Sequence, residues 1–110
     1  MSKWVEEALR RRAELARQHG DVCGHVDQIG DVSPRTDGCE ECLAMGDQWV
    51  HLRLCMVCGH VGCCDHSKNR HATKHYQATG HPLIQSLEAW EDWVWCYADQ
   101  VYVAGQGDDD

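Results

Sequence analysis

Cysteine and histidine residues crowd the middle of this 110-residue chain at spacings typical of metal ligands. Two Cys-x2-Cys pairs occur within a short stretch, followed by three histidines separated by three and five residues. Zinc is held at four-coordinate sites by thiolate, imidazole and occasionally carboxylate groups at such spacings. The candidate ligands number twelve, enough for three such sites: Cys23, His25, Cys39, Cys42, Cys55, Cys58, Cys63, His71, His75, His81, Cys96 and Asp99. The sequence therefore predicts a domain organised by structural zinc.

The eight cysteines could instead pair as disulfides, since their number is even. Two observations favour metal. The cysteines are interleaved with histidines at ligand spacing, which a disulfide framework does not require. The N-terminal segment also lacks the basic region and apolar core of a signal peptide. We therefore expect a reducing, cytoplasmic compartment.

Composition indicates a thin hydrophobic core and an acidic surface. The chain has no Phe and 7% aromatic residues, and small domains with thin cores commonly need metal or covalent staples. Its formal net charge is −8, which stays negative after three zinc ions bind seven thiolates. Contacts to phosphate dominate nucleic-acid affinity, so we expect no nucleic-acid partner. No apolar run approaches the ~20 residues that cross a bilayer, so we expect no membrane partner either.

An amphipathic helix is predicted at the N-terminus, from Lys3 to His19, with Ser2 as its N-cap and Gly20 as its end. Two ion pairs at i,i+4 spacing, Glu6 with Arg10 and Glu7 with Arg11, support its exposed side. The apolar stripe comprises Trp4, Val5, Ala8, Leu9, Leu15 and Ala16. We expect residues 1–20 to pack on the rest of the domain through this stripe, the alternative being a helix that binds a partner.

Residues 21–104 are predicted to form a small α+β domain with a short antiparallel sheet and one short helix. Residues 20–47 are rich in turn signals and should form loops. Alternating residues over 49–54 predict a half-buried strand, and residues 69–79 a helix ended by Gly80. Further strands are expected at 82–87, 93–97 and 101–103. The acidic tail, residues 105–110, is predicted to be disordered.

The order of these motifs resembles the UBP-type zinc finger, the ubiquitin-binding finger of ubiquitin-specific proteases and of a histone deacetylase. The resemblance covers about Val22 to Tyr102. It is carried by these motifs: Cys23-x-His25, Cys39-x2-Cys42, Trp49, Cys55-x2-Cys58-Gly59-His60-Val61-Gly62-Cys63, His71-Ala72-x2-His75, Gly80-His81-Pro82-Leu83 and Trp95-Cys96-Tyr97. With no protease or deacetylase attached, the chain is similar to the members that stand alone in bacteria.

The resemblance implies three zinc sites. The first would use Cys23, His25, Cys96 and Asp99; the second Cys55, Cys58, His75 and His81; the third Cys39, Cys42, Cys63 and His71. Asp99 stands where the family usually has Cys, and a carboxylate is a chemically reasonable zinc ligand. The alternative is a surface Asp99 with water completing the site. Cys64, where the family usually has Gly, is expected to be a small residue beside a metal turn.

The resemblance also implies a pocket that receives a C-terminal Gly-Gly tail between aromatic walls. The wall residues of the family have counterparts in Trp95, Tyr97 and Tyr102, which could otherwise be core residues beside a zinc ligand. The Arg that helps to bind the tail is replaced here by Asp65. An anion near a bound carboxylate reverses the electrostatics, so we expect weaker affinity for a free C-terminus, and a different tail or an internal peptide as ligand.

Parts of the sequence also fit three other functions. Cys55, Cys58, His71 and His75 also fit the two-Cys, two-His finger whose helix reads DNA, but the intervening residues lack large apolar side chains. A purely structural zinc module could interact through its N-terminal helix. Catalysis is not expected, because a catalytic zinc keeps an open coordination position whereas these ligand sets fill four. The sequence thus predicts a non-enzymatic module that binds a protein or peptide tail.

Overall fold

The computed structural model describes residues 6–88 and 90–104. Three α-helices, one short 3₁₀ helix and five strands follow one another along the described chain. Their order is α1 (Glu6–Arg17), the 3₁₀ helix (Val26–Gln28), α2 (Glu40–Met45), β1 (Leu52–Cys55), β2 (Val61–Cys63), α3 (His71–Thr79), β3 (Leu83–Ser86), β4 (Val94–Cys96) and β5 (Val101–Ala104). The predicted α+β class is confirmed. The predicted cap Ser2 and the predicted disordered tail, residues 105–110, lie outside the described residues.

The five strands form one antiparallel sheet in the order β2-β1-β3-β4-β5. Residues paired across neighbouring strands share a face, as do residues two apart in one strand. Cys55 pairs with Ile84, Ile84 with Trp95, and Trp95 with Tyr102. Arg53 lies two residues before Cys55 in β1 and is therefore on the same face as these residues. We call this the aromatic face. The opposite face is the helix face.

The helix face carries the hydrophobic core. Leu54, Leu83 and Val94 are fully buried there. Several of the buried residues in the two core clusters are candidate metal ligands, namely Cys23, Cys39, Cys42, Cys63 and Cys96. Because apolar side chains and sulfur atoms share the same interior, the clusters of ligands extend the core that aliphatic residues begin.

Helix α1 packs against β4 and β5. Leu9, Ala13 and Ala16 are buried, at the i, i+4 and i+7 spacing of a single helix face. The two predicted ion pairs of the exposed side are confirmed, with N···O distances of 3.5 and 3.3 Å. The predicted stripe was wrong at Leu15, which is 46% exposed. Among the described residues, the buried face of α1 comprises Leu9, Ala13 and Ala16, and the predicted stripe residues Trp4 and Val5 lie outside them.

The segment predicted as loops contains two short helices. Residues 20–47, predicted as loops alone, also contain the 3₁₀ helix and α2. Helices α2 and α3 both end at a glycine in the left-handed conformation, Gly46 at φ 72° and Gly80 at φ 78°. That conformation is favourable for glycine because it has no Cβ. The predicted end of α3 at Thr79 is confirmed.

Gly62 lies where β2 packs against the start of α3. A Cβ on Gly62 would lie 2.7 Å from the backbone nitrogen of Ala72 and 2.8 Å from its Cα. These atoms belong to a backbone that cannot move independently of the helix. Only a residue without a side chain allows this approach of strand to helix.

We predict that Gly62→Ala lowers the free energy of unfolding by about 1–3 kcal/mol, the usual cost of forcing extra volume into a packed interior. The check is the thermal unfolding midpoint of the metal-loaded protein. Gly20→Ala is the matched control, since the nearest atom to its Cβ would lie 3.8 Å away, and its midpoint should be nearly unchanged. Equal midpoints for the two variants would show that α3 can shift away from β2.

Candidate metal centres and an aromatic cavity

The candidate metal ligands meet in three groups of four, each with its ligand atoms within 4.8 Å of one another. Each group is named here by its position. The helix cluster is Cys39, Cys42, Cys63 and His71; the hairpin cluster is Cys55, Cys58, His75 and His81; the end cluster is Cys23, His25, Cys96 and Asp99. These are the same groupings that the family resemblance implies.

The distances inside the clusters fit tetrahedral zinc. Zn–S bonds of about 2.3 Å and Zn–N bonds of about 2.0–2.1 Å place tetrahedral ligand atoms about 3.6 Å apart. In the helix cluster, Nδ1 of His71 lies 3.2, 3.5 and 3.6 Å from the sulfurs of Cys39, Cys42 and Cys63. One ring nitrogen facing three sulfurs at this separation is the donor set of a closed structural site.

The four ligands of the helix cluster come from three elements, α2, β2 and α3. Cys39 is the N-cap of α2, Cys42 lies within it, Cys63 ends β2 and His71 begins α3. The backbone N–H of His71 donates to the sulfur of Cys63 at 3.2 Å. Such a bond favours the thiolate form and orients the sulfur. The site would therefore hold both short helices against the sheet.

The hairpin cluster lies between the β1–β2 turn and α3. Cys58 Sγ is 3.4 Å from Nε2 of His75, and Cys55 Sγ is 3.6 Å from Nδ1 of His81. Burial lowers the pKa of His75 to about 4, which keeps its imidazole in the neutral, ligating form. The ring of His60 stacks on His75 with centroids 4.0 Å apart.

His60 is a supporting residue and not a member of any cluster. It is buried, and its Nε2 lies 2.8 Å from a carboxylate oxygen of Glu41. Glu41 belongs to α2, which also supplies Cys42 to the helix cluster. His60 thus connects two of the clusters through its ring stacking on His75 and its bond to Glu41 of α2.

The end cluster joins the two ends of the described domain. Nδ1 of His25 lies 3.5 Å from Cys23 Sγ, 3.7 Å from Cys96 Sγ and 3.2 Å from Asp99 Oδ2. The Asp99 side chain is 38% exposed, whereas Cys23 and Cys96 are buried. The structure therefore brings Asp99 to the fourth corner of a site that is open to solvent on its carboxylate side.

Buried sulfur without a nearby cation stays protonated. Burial raises the pKa of the Cys23 and Cys39 thiols to about 12 and that of Cys55 to about 11. Metal binding requires the thiolate, and the ion's own charge is what stabilises that form. Clusters of buried cysteines are therefore better suited to a metal-loaded protein, in which the ion stabilises the thiolates, than to a metal-free one.

The two competing interpretations of the ligands are not realised. All eight cysteines lie in the described residues and none of them is disulfide-bonded. The local set Cys55, Cys58, His71 and His75 is also divided, because His71 belongs to the helix cluster. Cys64 belongs to no cluster; it is buried and its sulfur lies 3.5 Å from Ser67 Oγ.

A cavity of about 360 Å³ opens on the aromatic face. The four residues predicted for a peptide pocket, Asp65, Trp95, Tyr97 and Tyr102, all line it. Seven other residues complete the lining: His51, Arg53, Cys64, His66, Ile84, Glu91 and Trp93. Tyr102 meets Trp95 and Trp93 edge-on, with centroids 4.9 and 5.8 Å apart. Tyr97 stacks on Tyr76 at 4.8 Å. The volume is within the range of small-ligand and peptide sites.

Arg53 is a cavity residue that sequence reasoning missed. It lies in the segment 49–54 that is predicted as a half-buried strand, and its side of that strand forms the floor of the cavity. Its Cζ lies 4.7 Å from the ring centroid of Trp93, and its Nη1 lies 3.0 Å from Glu91 Oε1. The sequence signal that could have identified it is the single cation in an otherwise apolar strand, residues 52–55.

Asp65 lies at the wall of the cavity and is tied to α3. Its Oδ1 accepts a hydrogen bond from Thr73 Oγ1 at 2.6 Å, and Thr73 Oγ1 lies 3.2 Å from the hydroxyl of Tyr97. Burial raises the pKa of Tyr97 to about 12, so the hydroxyl keeps its proton and can donate it to Thr73. The chain of bonds fixes Tyr97 in the wall and occupies one oxygen of Asp65.

A known family of sequences matches most of this chain. The family described as "Zn-finger in ubiquitin-hydrolases and other protein" matches residues 39–108. That range contains the helix and hairpin clusters and the residues lining the cavity. Cys23 and His25 of the end cluster precede it.

Individual relatives match this chain over a small part of their own length. Ubiquitin carboxyl-terminal hydrolase 16 of Danio rerio is 42% identical over 96% of this chain and 12% of its own length. NAD-dependent deacetylase sir2A of Dictyostelium discoideum is 35% identical over 68% of this chain and 13% of its own length. The chain thus spans about an eighth of the length of these two relatives. The solution NMR structure of protein RPA1320 from Rhodopseudomonas palustris is 56% identical, covers 73% of this chain and 78% of that one, and has a TM-score of 0.67.

If the exposed carboxylate of Asp99 is a metal ligand, its removal should weaken metal binding at the end cluster. In Asp99→Ala, one ion in three should be released to a chromophoric chelator at a concentration at least about tenfold lower than in the parent, because one ligand is lost. Asp27→Ala is the matched control, since Asp27 is an exposed acid of the neighbouring 3₁₀ helix and belongs to no cluster. If Asp99→Ala keeps all three ions as tightly as the control does, Asp99 is not a ligand.

Metal removal should unfold the domain. A structural zinc site is worth about 10 kcal/mol or more, and the whole stability of a small domain is about 5–15 kcal/mol. We expect the cooperative thermal transition followed by circular dichroism to disappear in excess strong chelator and to return when zinc is added back. A transition that the chelator leaves in place would contradict a structural role for the metal.

Proposed function

Because the chain belongs to the family of zinc fingers found in ubiquitin hydrolases and other proteins, we propose that it is a non-enzymatic module that binds three zinc ions and the C-terminal tail of a protein or peptide. The observation that carries the proposal is the cavity on the aromatic face, whose walls include Trp95, Tyr97 and Tyr102. The structural zincs hold the elements that form these walls.

Three zinc ions are proposed because each cluster supplies four donors at tetrahedral separations. Two clusters contain Cys and His alone, and the end cluster replaces one thiolate by the Asp99 carboxylate. Zinc accepts that donor set, and the buried sulfurs favour it over the harder, oxygen-preferring cations. We also propose that the protein resides in a reducing, cytoplasmic compartment, where its cysteines stay free to bind zinc.

A binding role is favoured over catalysis by the donor count. A catalytic zinc needs a coordination position for water or substrate, and four protein donors in each cluster leave none. The relatives point the same way, since a hydrolase and a deacetylase perform different reactions and share this region. A module common to both is better explained by recognition than by chemistry.

The cavity suits an extended tail without bulky side chains. Flat aromatic walls pack against a peptide backbone, and their polar edges offer hydrogen bonds to its amide groups. The relative from Danio rerio is named ubiquitin carboxyl-terminal hydrolase 16, and the family resemblance implies a Gly-Gly tail, which is therefore the reference ligand. The net charge of −8 makes nucleic acid a poor partner.

No helix of the described residues is long and apolar enough to span a bilayer.

The proposal predicts loss of peptide binding when the walls are removed. Trp95→Ala and Tyr102→Ala should each weaken binding of a synthetic peptide ending in Gly-Gly by about tenfold or more, the usual effect of truncating an aromatic anchor. Isothermal titration calorimetry with the zinc-loaded protein gives the measurement. Zinc content and the thermal transition of each variant should match those of the parent.

Met45→Ala is the control for the loss of a large exposed side chain. Met45 is 58% exposed on α2 and does not line the cavity, so its removal should leave binding unchanged. The proposal is wrong if the parent protein shows no heat of binding with the peptide at millimolar concentration, or if Trp95→Ala binds as the control does.

A further inference from the structure

Arg53 introduces a sheltered positive charge at the floor of the cavity. Its side chain is only 12% exposed, and its guanidinium rests over the ring of Trp93. Charges interact more strongly where water is largely excluded. The cavity therefore contains a cation, although the loop position that carries Arg in the family is Asp65 here.

One edge of the Arg53 guanidinium is held by the protein. Nη1 donates to the carbonyl oxygen of Leu52 at 3.1 Å, to Ser86 Oγ at 3.1 Å and to Glu91 Oε1 at 3.0 Å. Among residues 6–88 and 90–104, every hydrogen bond of this side chain leaves from Nη1. Nε and Nη2 form the other edge, and their parallel N–H groups match the two oxygens of a carboxylate.

Glu91 orients this guanidinium and does not fill its second edge. Glu91 Oε1 also accepts a hydrogen bond from Ser86 Oγ at 2.5 Å, so the carboxylate is fixed on the Nη1 side. Stacking over Trp93 fixes the plane of the guanidinium as well. A preorganised fork loses less entropy on binding than a free side chain would.

We propose that Arg53 binds the terminal carboxylate of a peptide through Nε and Nη2, and that the ligand is therefore a peptide with a free C-terminus and a small last residue. The inference rests on the proposed function, and it names the residue that determines specificity. The carboxylate is bound from the sheet, by β1, and not from the loop that carries Asp65. Glu91 and Asp65 make the cavity less favourable for an anion than Arg53 alone would.

The test compares two synthetic peptides that differ only at the end, a Gly-Gly free acid and its C-terminal amide. Calorimetry with the zinc-loaded protein should show about tenfold or greater preference for the acid, as expected for hydrogen bonds between charged groups. In Arg53→Gln the two peptides should bind equally. Arg53→Lys keeps the charge but lacks the fork, so its preference should lie between these values.

Arg11→Gln is the matched control. It changes the net charge by the same amount, and Arg11 is 67% exposed on α1 and does not line the cavity. Its acid-to-amide preference should equal that of the parent. Asp65→Asn should act in the opposite direction to Arg53→Gln, raising affinity for the acid a few-fold and leaving affinity for the amide unchanged, since a like charge is removed.

The outcomes distinguish the proposed peptide-binding function from the proposed role of Arg53. Failure of the parent to bind either peptide overturns the proposed function and, with it, this inference. Binding with an acid preference that survives in Arg53→Gln overturns the role of Arg53 alone. Zinc content and the thermal transition check the fold of each variant. If Arg53→Gln does not fold, Arg53→Lys decides, and a preference equal to that of the parent overturns the bidentate contact.

Discussion

Metal ligands drawn from distant parts of the chain are the constraint on which the rest of this structure depends. The end cluster joins Cys23 to Cys96, and the helix cluster joins Cys39 to His71. Each shared metal of this kind would close a long loop of the chain. Without the metal, aliphatic packing alone would have to offset the entropy lost when that loop is ordered. Several of the same sulfurs are buried within the hydrophobic core clusters. We therefore expect core formation and metal coordination to be coupled in this small domain.

The two faces of the sheet have different roles: one packs against the hydrophobic core and the other lines the cavity. Leu54, Leu83 and Val94 pack beneath α1 on the helix face, while Arg53 and Trp95 line the cavity on the other. Metal clusters stand at the ends of strands on both sides, so the positions of the cavity walls follow from the coordination geometry. A site built in this way can be rigid although the strands that form it have only three or four residues.

Features set by local spacing could be predicted from the sequence, and features set by long-range packing could not. The ligand candidates were recognisable because their spacing is local, and the ends of α3 and the ion pairs of α1 follow from helical periodicity. The strand β2 was missed because Val61-Gly62-Cys63 is too short to show alternation. The stripe of α1 was wrong at Leu15 because its width depends on how closely the sheet approaches. Arg53 was not identified as a cavity residue because a polar residue in a predicted strand does not reveal which residues of distant elements lie beside it.

The alternation of side chains in the sheet has an evolutionary consequence. Arg53 lies between Leu52 and Leu54, so a residue facing the cavity is flanked by two that face the core. A substitution on the aromatic face can alter the charge of the cavity without replacing a residue of the aliphatic core or a metal ligand. Two such positions, Arg53 and Asp65, carry opposite charges into one cavity here. A scaffold of this kind can acquire new partners by single substitutions while its folding stays the same.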